Sequence, residues 1–101
     1  MRESAPPLSE LPEEQRNEIA RAEAVLLHAE PGGPAVWRLS LYSTVSTHPL
    51  ASDDFDFTGE FFDEGVELVS GLLGSAGLVY LAPFQSDPDG TRHVAMTMPR
   101  D

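Results

Sequence analysis

The stretch "AVWRLSLYSTVST", residues 35–47, constrains the fold more than any other part of the chain. Apolar and polar residues alternate there with a period of two, the repeat of a β-strand with one buried face. Trp37, Leu39, Leu41 and Val45 fall on one side, and Arg38, Ser40, Tyr42, Thr44 and Ser46 on the other. A strand of this kind needs partner strands at its edges and a second layer over its apolar face.

The covering layer is legible between residues 58 and 75. Taken at about 100° per residue, Leu68, Phe61, Leu72, Val69, Phe62, Leu73 and Val66 lie within an arc of about 160°. Ser70, Asp63, Glu67, Glu60 and Glu64 occupy the opposite side. The spacing predicts an amphipathic helix over 59–74, with Thr58 as its N-cap and the glycines of "GLLGSAG" at its end. Gly65 lies on the apolar side, where a missing side chain implies close approach to a neighbour.

Partner strands follow. "GLVYLAPFQ" and "TRHVAMTMP" alternate and are joined by "SDPDG", whose Pro and Asp-Gly are turn residues, so the pair reads as a hairpin. Val79 and Leu81 oppose Leu78, Tyr80 and Phe84, and Val94, Met96 and Met98 oppose His93, Ala95 and Thr97. "THPLASDD" reads as a loop.

The N-terminal "MRESAPPL", residues 1–8, reads as a flexible tail, leaving 9–101 as a single α+β domain. "EEQRNEIARAEAVLLHAE" is rich in helix formers. With Pro12 at its start and Glu13 and Glu14 in its first turn, it predicts a helix over roughly 12–29. The alternative makes Ala24 to Glu30 a strand that turns through "PGGP" into the next. The expected architecture is two-layered, with one or two helices on an antiparallel sheet of three or four strands, in the order α-β-(β)-α-β-β. With the hairpin alternative, that order resembles the one in roadblock-type and profilin-like scaffolds.

Composition narrows the function. The chain has 101 residues and no cysteine, so disulfides and thiolate chemistry are excluded and stability rests on burial. Seventeen acids against six arginines give a net charge of −11. Residues 51–75 carry seven acids and no base. Such a surface repels nucleic acid and anionic membrane and attracts basic partners or cations. With no apolar run resembling a signal peptide or membrane span, the expectation is a soluble cytoplasmic protein without direct nucleic-acid or membrane binding.

The acids concentrate in "DDFDFTGEFFDEG", residues 53–65. Asp54, Asp56, Thr58 and Gly59 match the first half of an EF-hand calcium loop, but Gly65 stands where a bidentate Glu is required. These three oxygen donors are therefore weak metal candidates. The same D-x-D-x-T string lacks the preceding apolar strand and the lysine that aspartate-nucleophile phosphotransferases need. His28, His48 and His93 show no ligand spacing and read as surface residues, at a helix end, beside Pro49 and on a strand's outer face respectively, and no serine sits in a G-x-S-x-G turn.

With no catalytic residue and no cofactor indicated, the chain reads as a non-catalytic acidic protein-interaction module, self-associating or bound to a basic protein. Its expected contact residues are Phe55, Phe57, Glu60, Asp63, Glu64 and Glu67. The alternatives are a nucleic-acid-mimicking inhibitor or antitoxin, and a small enzyme or calcium- or ligand-binding domain.

Overall fold

A computed structural model of the chain describes residues 6–45, 47–59, 61–81 and 84–99. A 3-10 turn at Leu8–Glu10 and a single helical turn, α1 (Glu13–Arg16), lead into β1 (Ile19–Ala29), β2 (Ala35–Ser43) and β3 (Ala51–Phe57). A wide π-type turn at Phe61–Gly65 runs directly into α2 (Val66–Ser75), followed by β4 (Leu78–Tyr80), β5 (Gln85–Ser86) and β6 (Arg92–Pro99). All pairings are antiparallel, in the order β3-β2-β1-β6-β4, with β5 also on β6.

This overturns the expected three or four strands under one or two helices. The molecule is mostly sheet, with six strands and one substantial helix among the described residues. The predicted helix over 12–29 is helical only at Glu13–Arg16, and from Ile19 it is the central strand β1, hydrogen-bonded to β2 on one side and β6 on the other. Two neighbouring strands outweigh the modest helix preference of an Ala- and Glu-rich segment. The expected loop before Phe55 contributes a further strand, β3. Three strands therefore precede α2, one more than in the α-β-β-α-β-β order. The helix expected over 59–74 is present as Phe61–Ser75, with Gly77 at φ 79° closing its end.

The register explains how the layers fit. Ala22 and Ala24 of β1, Leu39 and Leu41 of β2, Ala51 of β3 and Ala95 of β6 all point toward α2 and are buried. Small residues on three of these strands let the helix settle close, so Val69 and Leu73 are fully enclosed. Full burial of a side chain such as Leu39, Leu41 or Leu73 stabilises by roughly 1.5–3 kcal/mol each. Trp37, Leu39 and Leu41 are buried as their alternation implies, whereas β2 ends at Ser43 and leaves Val45 exposed.

Leu8, placed in the tail by composition, is buried against α2 and β3. Its backbone N–H donates to Asp53 Oδ2 at 3.0 Å, and the Ser52 N–H donates to the Pro6 carbonyl at 2.9 Å. The N-terminal segment thus covers part of the outer edge of β3, one of the strand edges that would otherwise be open to pairing.

Candidate functional site

The acidic stretch divides at the end of β3. Asp53, Phe55 and Phe57 face the helix layer, and Asp54 and Asp56 face away. Phe57 is buried, with its ring stacked 6.0 Å from Trp37 at 15° and 6.0 Å from Phe55 at 10°. Phe61 packs beyond it, 5.1 Å from Trp37. These rings need the backbone of α2 close by. A Cβ at Gly65 would lie 2.7 Å from Phe57 Cζ and 2.8 Å from Phe61 Cδ1, so only glycine fits.

Beside this junction lies a groove between β3 and the start of α2, with a volume of about 540 Å³. Phe57, Thr58 and Pro34 line it together with Leu68, which is 41% exposed. Asp56, Glu64 and Glu67 supply its charge, and among the described residues no basic side chain lines it. Three expected contact residues, Phe57, Glu64 and Glu67, therefore meet in one concave site. Phe57 is only 7% exposed, being enclosed by Trp37, Phe55 and Phe61. Phe55 is half-buried beside it. Asp63 is exposed on the helix but lies outside the groove lining, and Glu60 falls outside the described residues.

Leu68 and Pro34 were not anticipated. Leu68 sits at the margin of the apolar arc, four residues after Glu64, a position compatible with burial or exposure. Pro34 is far away in sequence, and nothing local marks it.

The weak metal candidates do not converge. Asp54 accepts from Arg38 Nε at 2.7 Å and from Arg38 Nη2 at 3.2 Å, while Asp56 and Thr58 belong to the groove. Among the described residues, no three His, Asp or Glu side chains form a cluster able to hold a metal ion.

His93, expected on an outward face, is only 3% exposed and faces α2. The faces of β6 were assigned correctly as sets and reversed in direction, because the helix takes the small and flat residues rather than the methionines. The His93 ring stacks on Phe61 at 3.8 Å and 10°, and Phe62 meets it edge-on at 5.3 Å. Ser86 Oγ and His93 Nδ1 share a hydrogen bond of 2.6 Å. Burial holds the His93 pKa below the usual imidazole value, outweighing the backbone hydrogen bond at Gly90 and the charge of Asp87. Nε2 is buried without a hydrogen-bond partner among the described residues. No carboxylate hydrogen-bonds this ring among the described residues, so it lacks the third member of a Ser-His-Asp arrangement and acts in packing.

The outward face of the sheet carries the ionic network. Glu23, 5% exposed, accepts from Arg21 Nε at 2.8 Å and from Arg92 Nη2 at 2.8 Å. Burial alone would raise its pKa, but the hydrogen bonds and charges of Arg21 and Arg92 together hold it below the usual carboxylate value. Arg21 also lies over the Tyr42 ring, 4.3 Å from its centre.

The chain matches no protein-family model, no curated protein and no solved structure at a significant level. Among the described residues, no helix is long and apolar enough to cross a membrane.

Proposed function

We propose that this chain is a non-catalytic protein-interaction module that captures a basic segment of a partner in the groove between β3 and α2. One observation carries the proposal: Asp56, Glu64 and Glu67 line a concave surface beside exposed Leu68, with no arginine among the described residues lining it. A lysine- or arginine-rich segment would gain charge-assisted contacts at the rim, and one apolar residue would rest on Leu68 beside Phe57. The net charge of −11 would steer such a partner and raise its association rate at low salt.

The test is fluorescence anisotropy with a labelled arginine-rich peptide containing one leucine. Binding is expected to weaken steeply between about 50 and 500 mM salt. Glu64→Arg combined with Glu67→Arg is expected to reduce affinity by at least about tenfold. Equal binding of a neutral peptide, or full affinity in the charge-reversed variant, would overturn the proposal.

A further inference from the structure

The sheet face turned away from α2 has a different character from the rest of the molecule. Pairing places Arg21, Glu23 and Val25 of β1, Arg38, Ser40 and Tyr42 of β2, and Asp54 and Asp56 of β3 on this face. Arg92, Val94, Met96 and Met98 of β6 continue it, and Val79 of β4 completes it. A solvated face of an antiparallel sheet is ordinarily polar, but here Met96 is 55% and Met98 43% exposed, with Val79 exposed beside them.

Its charges nearly cancel. Arg21, Arg38 and Arg92 stand against Glu23 and Asp54, with Asp56 at the margin of the face where it also lines the groove, in a chain whose net charge is −11. Both ion-paired sets are internal to the face: Arg21 and Arg92 on Glu23, and Arg38 on Asp54. Charges already paired lose less on desolvation than free ones. Met, Arg and Tyr on this face are types enriched at interfaces.

We infer that this face binds a second copy of the chain, sheet against sheet. The charge pattern selects that occupant. A two-fold contact sets each patch against itself, which the acidic helix face cannot tolerate and the balanced sheet face can. A basic partner would choose the helix side instead. The molecule measures 41 × 36 × 23 Å, so its thickness is close to one sheet plus one helix layer and its broad side is available for contact. Five strands about 4.8 Å apart, with about eight residues each at 3.4 Å, give a face of roughly 650 Å². With side-chain relief, that approaches the roughly 800 Å² per partner of a standard interface. Met96 and Met98, on β6 beside the edge strand β4, would repack against the facing copy at little cost. The dimer would leave both acidic grooves pointing outward, making it bivalent for basic segments.

Light scattering coupled to gel filtration of the full chain at about 50 μM is expected to give twice the chain mass, unchanged in about 500 mM salt because apolar contacts dominate. Met96→Glu combined with Met98→Glu is expected to yield a monomer with the wild-type circular dichroism spectrum, since both side chains stand outside the core. The charge-reversed groove variant is expected to stay dimeric, which separates this inference from the peptide-binding proposal. As an independent readout, peroxide oxidation of Met96 and Met98 is expected to slow several-fold as protein concentration rises. A wild-type monomer, a dimer that dissolves in salt, a dimer that survives both glutamates, or oxidation independent of concentration would each overturn it.

Discussion

Gly65 and Phe57 are in contact so close that the glycine's missing Cβ is part of the packing: the position it would occupy is 2.7 Å from Phe57 Cζ. The ring of the last β3 residue fills the space at the start of the helix, and the groove lies beside that junction. Gly65→Ala would gain about 1 kcal/mol of helix preference. It would also force Phe57 and Phe61 out of place, at a cost of roughly 1–3 kcal/mol. The expected outcome is a lower thermal midpoint together with weaker peptide binding. A midpoint at or above wild type would show that the rings can move aside.

Glu23 is expected to behave non-additively. Arg21→Ala and Arg92→Ala each leave it one partner and should cost about 1 kcal/mol, as partly exposed hydrogen-bonded charges do. The double substitution leaves a buried carboxylate unpaired and should cost more than the two single values together, about 3 kcal/mol or more. Arg38→Ala, removing the half-exposed pair with Asp54, is expected to cost under about 1 kcal/mol. Urea titration of the four variants measures all of these differences.

Two pH transitions in stability are expected. His93 has a folded pKa below its ordinary 6.5, so the unfolded chain binds a proton first as pH falls. Its contribution is complete above about 6.5 and lost progressively below it. His93→Phe should flatten the change in thermal midpoint between pH 7 and 5.5. Glu23, also lowered, contributes above its ordinary 4.5 and loses that contribution as pH drops through its folded value. An unchanged slope in the His93 variant would assign the upper transition elsewhere.

Calcium at about 1 mM is expected to leave the thermal midpoint unshifted. Both Asp54 oxygens are engaged by Arg38, and Asp54 and Asp56 alternate outward along a strand rather than curling around an ion. A rise abolished by Asp54→Ala would establish a site.

Periodicity and turn residues located β2, α2 and strand pairing with β6, although "GLVYLAPFQ", read as one strand, is divided into the short β4 and β5, and the composition of residues 53–65 located the acid cluster. These are local signals: a two-residue repeat, a 3.6-residue repeat and a run of charge. Gly65 was also legible, because a glycine on an apolar helix face implies a close neighbour. Only the tertiary structure decided that "IARAEAVLLHA" is a strand. Its helix preference is weak per residue, and hydrogen bonding to strands on both sides overrides it. The same cause reversed β6. Size and polarity suggest that methionines turn inward and His93 outward, but a helix packed close over alanines takes the flat imidazole and leaves Met96 and Met98 outside. The groove formed in the same way, since Pro34, Asp56 and Glu64 become neighbours only when β2, β3 and α2 are assembled, and no local pattern encodes that meeting.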